Sequence, residues 1–143
     1  MGAWRAFLTA HARVGEVLER ELEAECGLPL TWYDVLVQLS EAPSQRLRMH
    51  DLAHAVLLSR AGLTRLVDRM TAAGLVERVA CEEDRRGVFV ALTPAGVKRL
   101  RAAAPAHLRG VATHFTGHLS EAEADTLRAT LMRIATAAEA TRA

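Results

Sequence analysis

Residues 58–96 read LSRAGLTRLVDRMTAAGLVERVACEEDRRGVFVALTPAG, and the fold turns on them. Wound as an α-helix, Leu63, Leu66, Val67 and Met70 fall within an arc of about 100°, while Arg60, Ala61, Thr64, Arg65 and Asp68 cover the remaining surface. Ser59 offers an N-cap and Gly74 a left-handed stop, so the spacing predicts a helix over 60–73. Leu75–Cys81 and Val88–Leu92 are rich in β-branched residues and alternate, as the arms of a hairpin do. The turn between them, Glu82-Glu83-Asp84-Arg85-Arg86-Gly87, places two cations at the hairpin tip. A helix followed by a basic-tipped hairpin suits two adjacent grooves of a DNA duplex.

Outward from this stretch the pattern is helical. Thr93 caps a long helix with proline at its first position, carrying Val97, Leu100, Ala104, Leu108, Val111 and Phe115, with a kink expected at Pro105. Ser120 and Glu123 form a capping box for a last helix striped by Leu127, Leu131, Ile134 and Ala138. Upstream, residues 3–25 repeat apolar side chains at helical spacing, and Gly27 and Pro29 end that helix. Thr31 then reads as the N-cap of a second helix, Pro43-Ser44-Gln45 as a loop, Arg46–Met49 as a minor strand and His50–Val56 as a short helix. The fold class is therefore mainly α with a small β-hairpin wing, a winged helix-turn-helix flanked by N- and C-terminal helices. One domain spans 1–143, with a winged-helix lobe over 31–96 and helical dimerisation regions over 1–26 and 97–143. Those outer helices hold more apolar surface than a small central core covers, which calls for a partner subunit.

Composition narrows the class. Half of the 143 residues are hydrophobic, so a packed core can form and disorder is not expected. No apolar run approaches the roughly 18 to 20 residues that span a bilayer, and no signal-peptide core precedes the first helix, so a cytoplasmic protein without membrane contact is expected. Net charge is only +1, but residues 59–101 hold nine Lys/Arg against five Asp/Glu. Positive charge is concentrated where a phosphate backbone requires it. Cys26 and Cys81 are far apart and belong to no CxxC pair, so neither a disulfide framework nor a zinc knuckle is implied.

The second helix of a helix-turn-helix presents its N-terminal residues to base edges in the major groove. Arg60, Thr64 and Arg65 are suited to this: arginine forks onto guanine, and threonine bonds a base or touches a thymine methyl. Ser59 can bond a phosphate. Arg85 or Arg86 can enter a narrow A·T-rich minor groove, whereas Asp84, repelled by phosphate, is better placed to orient an arginine.

The run Leu52-Ala53, Ser59, Leu63-Thr64-Arg65-Leu66-Val67-Asp68-Arg69-Met70, Ala73-Gly74-Leu75-Val76-Glu77-Arg78, Asp84-Arg85-Arg86 and Leu92-Thr93-Pro94-Ala95-Gly96 resembles the MarR family of bacterial transcription regulators. The resemblance extends over essentially the whole chain. It implies an obligate homodimer built from the terminal helices and bound to a palindromic operator in double-stranded DNA. It also implies release of that operator, usually a repressed one, when a small-molecule effector binds between the dimer helices and the DNA-binding lobe. By position it makes Arg60, Thr64 and Arg65 major-groove readers, Arg86 the wing-tip arginine, and Asp68 and Asp84 partners in salt bridges that brace the wing. His50 departs from the Ser or Thr that often opens the helix before the recognition helix.

Other readings find less material. Some relatives sense oxidants through a cysteine near the first helix, but Cys26 comes later than that position and has Glu23 and Glu25 beside it, which oppose a thiolate. His114 and His118 are spaced to share a metal, with His107 on the same helix, yet no carboxylate joins their face, and interfacial histidines account for them more simply. Trp4, His11, Trp32 and Tyr33 can line an effector pocket, though core positions explain them equally well. No catalytic motif is present, so neither an enzyme nor a cofactor is expected. The remaining rival is a winged-helix adaptor that uses the same face for protein contacts; such a module has no need of Arg60, Arg65, Arg85 and Arg86 together.

Overall fold

The computed structural model describes residues 2–56, 60–83 and 87–142. Ser59, Asp84, Arg85 and Arg86 lie outside the described residues, as does the side chain of Arg60. The elements run α1 (Gly2–Cys26), α2 (Leu30–Glu41), a 3-10 turn (Pro43–Gln45), β1 (Arg46–Arg48), α3 (Met49–Ala55), α4 (Arg60–Ala72), β2 (Val76–Ala80), β3 (Val88–Leu92), α5 (Pro94–His114), a second 3-10 turn (Thr116–His118) and α6 (Glu121–Ala140). They divide into two compact units, one of Leu18–His107, the other of Met1–Val17 with Leu108–Ala143.

The first unit holds a continuous apolar core. Leu22, Leu28, Val35, Leu36, Leu39, Leu52, Leu63, Val67, Met70, Val76 and Val90 are fully buried within it. Its sheet has the antiparallel order β1-β3-β2, so the last strand of the wing lies in the middle. Leu47 pairs with Val90 and Val90 with Arg78, while Arg46 pairs with Ala91 and Arg48 with Phe89. Alternation therefore puts Leu47, Val76, Val90 and Leu92 on the core side and Arg46, Arg48 and Phe89 on the other.

Local chemistry sets the junctions. α4 ends in a Schellman motif: the Leu75 N–H donates to the Met70 carbonyl and the Gly74 N–H to the Thr71 carbonyl, both at 3.0 Å, with Gly74 at φ +78°. Leu75 and Met70 are both buried, which supplies the apolar contact that accompanies this motif. The Thr93 hydroxyl accepts the Gly96 N–H at 3.0 Å, capping α5, and donates to the Gly74 carbonyl at 2.7 Å. β3, α5 and the end of α4 are thus tied at one residue.

Three local expectations are corrected. α2 is capped by Pro29 without a side-chain bond, not by Thr31, because Leu30 joins the helix and packs against the core. Pro43–Gln45 is a one-turn 3-10 segment with Ser44 and Gln45 at φ 57° and 54°, not an irregular loop. α3 starts at Met49 after Arg48, so His50 lies inside its first turn.

The second unit, taken alone, buries none of its large apolar side chains among the described residues. Trp4, Phe7, Leu8, Leu108, Phe115, Met132 and Ile134 are all exposed. α6 opens with the expected capping box, Ser120 and Glu123 bonding reciprocally.

Candidate nucleic-acid interface

α4 forms because its apolar residues recur at helical spacing and its two ends are defined, and burying that stripe dictates what it shows outside. With Leu63, Leu66, Val67 and Met70 inside, Thr64, Arg65, Asp68 and Arg69 are exposed. Thr64 and Arg65 lie in the N-terminal half of the helix, the part that reaches base edges when such a helix enters a groove. Arg60 begins the same turn, with its side chain outside the described residues.

The wing is held in two ways. The Cys81 N–H donates to the Gly87 carbonyl at 3.0 Å, closing the hairpin stem beneath the Asp84-Arg85-Arg86 tip sequence. Arg78, on β2, donates from Nη2 to Asp68 Oδ1 on α4 at 2.6 Å. Strand alternation puts Arg78 on the sheet side that faces α4, which is why the guanidinium meets a helix carboxylate instead of water. Both side chains remain substantially exposed, 35% and 60%, so the pair adds little stability and chiefly fixes geometry.

The sequence reading overlooked Arg78, although its place in the period-2 pattern marks it. It also overlooked a second cationic group. Arg46 and Arg48 on β1 lie over the Phe89 ring, with guanidinium carbons 4.6 Å and 5.4 Å from its centroid. Arg48 Nη2 also donates to Cys81 Sγ at 3.5 Å. The available signal was the Arg-Leu-Arg alternation, whose middle residue turns inward and whose arginines share the outer face.

The remaining candidates are dispersed. His107 packs its ring on Tyr33, centroids 4.4 Å apart, with Nδ1 buried and lacking a hydrogen-bond partner among the described residues. Burial holds the His107 pKa below the ordinary histidine value, against the opposite pull of Asp34. Burial also raises the Asp34 and Tyr33 pKa values. His114 is at the end of α5 and His118 in the following 3-10 turn; among the described residues no group of three potential ligands could hold a metal ion. Tyr33 is core and Trp32 half-buried against it, but Trp4 and His11 are exposed, so the core reading fails for those two in the single chain. Trp4 stacks on Phe7, which neighbours His11. Cys26 is half-buried and engages Arg99 through its carbonyl, which accepts from Nη2 at 2.5 Å. Among the described residues no helix is long and apolar enough to cross a membrane.

Comparison with known proteins agrees with this geometry. A family model described as the MarR family matches residues 27–87. The crystal structure of AbsC, a MarR family transcriptional regulator from Streptomyces coelicolor, superposes with a TM-score of 0.89 at 38% identity, covering 96% of this chain and 93% of that one. Sco3205, a MarR family transcriptional regulator from the same organism solved in complex with DNA, gives 0.86 at 34% identity, covering 94% and 84%. A mutant MarR from E. coli, solved with operator DNA, shares the fold at 22% identity with a TM-score of 0.81, covering 94% of each chain. No curated protein matches the chain. A basic-faced helix tied to a three-stranded wing, matched over nearly its full length by regulators of one kind, makes this chain a DNA-binding transcriptional regulator of the MarR family.

Proposed function

We propose that the chain acts as a homodimeric repressor that binds a palindromic operator and releases it in response to a small-molecule effector. One observation carries the DNA-binding geometry: Thr64 and Arg65 are exposed on α4 while Asp68, one turn further on, is bonded to Arg78 of the wing. Helix and wing then meet DNA as one unit. Arg60, Thr64 and Arg65 read base edges in the major groove, and Ser59 bonds a phosphate. Arg85 and Arg86 enter the flanking minor groove, where Asp84 orients them. The DNA complex of the relative Sco3205 supports this mode.

Dimerisation is supported by the apolar side chains that the terminal helices leave in water. Burying even a few of Trp4, Phe7, Leu8, Leu108, Phe115, Met132 and Ile134 contributes about 1.5–3 kcal/mol each. Two-fold symmetry then sets half-sites about one helical turn, 10 to 10.5 base pairs, apart. An effector acts by favouring a spacing of the two recognition helices that DNA cannot accept, since only differential affinity shifts such an equilibrium.

The test is a pair of variants measured against duplexes differing at single positions. Arg65→Ala is expected to cost on the order of 1–3 kcal/mol and to relax preference at particular base pairs. Arg86→Ala is expected to lose most on A·T-rich flanks. Losses that are uniform over all sequences would reduce both arginines to phosphate contacts.

A further inference from the structure

At the root of the wing, the Pro43–Gln45 turn and the start of α5 enclose a cleft of about 560 Å³, lined by Gln45, Leu92, Pro94, Val97, Lys98 and Arg101. That volume is within the range of small-molecule sites, roughly 300–1,000 Å³. Pro94, Val97, Lys98 and Arg101 follow one another at helical intervals of three and four, forming a single stripe along α5. The first half of the stripe is apolar and continues into Leu92, whereas the second half is cationic. No carboxylate lines the cleft, and among the described residues neither Lys98 nor Arg101 is ion-paired. Gln45 stands on the opposite lip in a left-handed conformation, φ 54°, that non-glycine residues seldom adopt. The turn is held in that conformation by a 3.0 Å bond from the Gln45 N–H to the Ala42 carbonyl.

We propose that this wing-root cleft binds a small organic carboxylate, its charge held by Lys98 and Arg101 with the Gln45 amide and its apolar body laid on Leu92, Pro94 and Val97. A solvated cationic edge would need no apolar floor. A phosphate of the DNA backbone would gain nothing from one. Two cations without acidic partners beside an apolar wall match an anion that has an apolar body. The site concerns residues other than Thr64, Arg65 and the wing tip, and it stands whether or not the DNA-binding mode proposed above is right.

The probe is cyclohexanecarboxylate, titrated into the DNA-free, ¹⁵N-labelled full chain and followed by amide chemical shifts. Saturable shifts at Gln45, Val97, Lys98 and Arg101 are expected. Uncharged cyclohexanecarboxamide and inorganic phosphate should each bind about tenfold or more weakly, as should the probe to the Lys98→Gln/Arg101→Gln variant with an otherwise unchanged spectrum. Saturable shifts that map elsewhere, or none at all, would overturn the site. Equal affinity for the carboxamide would remove the role of charge, and equal affinity for phosphate that of the apolar floor; either overturns the proposed ligand class. Because no DNA is present, failure here leaves the operator reading intact, and failure of operator binding leaves this site intact.

Discussion

Thr93 makes three bonds where β3 becomes α5: its N–H donates to the Leu75 carbonyl, its hydroxyl donates to the Gly74 carbonyl, and the same oxygen accepts from Gly96. Thr93→Val keeps the shape and removes the last two, and should cost about 1–3 kcal/mol in urea unfolding. Gly96 is required for a different reason, because a Cβ there would collide with the Leu75 carbonyl oxygen and Leu92 Cδ1. Gly96→Ala should therefore destabilise, although alanine is favoured over glycine by about 1 kcal/mol within helices. Gly15→Ala, in open space on α1, should stabilise by about that preference, and equal effects at the two sites would remove the steric account. His107 supplies a pH dependence. Its folded pKa lies below the ordinary 6.5, so the unfolded chain takes up the proton first. The stability due to the neutral ring is complete above 6.5 and is lost as pH falls from there through the depressed value. Asp34, with its pKa raised, acts with the opposite sign as pH falls towards 3.8. His107→Gln should flatten the stability profile just below pH 6.5, and an unchanged slope would exclude His107 as its source. The cap at Thr93 was legible in Leu-Thr-Pro-Ala-Gly. The burial of His107 was not, because it depends on Tyr33, seventy-four positions away.

Among the elements, α4 and the hairpin stem were the most legible. A single apolar stripe, a glycine stop and two alternating runs admit few other structures, and α4 ends within one residue of its expected limit. The start of α2 was not legible, since burying Leu30 outweighs a hydroxyl cap at Thr31, and an apolar contact of that kind leaves no local signature. Nor was the position of β1 against β3, which places Arg46 and Arg48 over Phe89 through a pairing more than forty residues apart in sequence. The Asp68–Arg78 bond joins two elements whose cooperation the proposed DNA mode requires. A double-mutant cycle on stability should give only about 0.2–1 kcal/mol for this exposed pair. Arg78→Ala should nevertheless weaken binding to a selected duplex by up to about fivefold through loss of the fixed wing angle. Unchanged binding would show that the wing is held without the pair.

For the whole molecule, the family follows from the run of motifs, but the partner surface is visible only once burial is known. The terminal helices read in sequence as ordinary amphipathic stripes, whereas in the single chain Trp4, Leu108, Met132 and Ile134 are each more than half exposed. A mass of twice the 15.6 kDa chain is expected in solution, and Leu108→Glu with Ile134→Glu should shift it towards one. A monomeric parent protein would remove the basis for a two-fold operator. The decisive measurement is selection from a random duplex pool at two salt concentrations. Enrichment of a palindrome with half-sites one helical turn apart, bound by two chains with an affinity that falls steeply as salt rises, is the predicted result. Absence of binding even at low salt, or binding with no sequence enriched, would contradict a sequence-specific dimeric regulator.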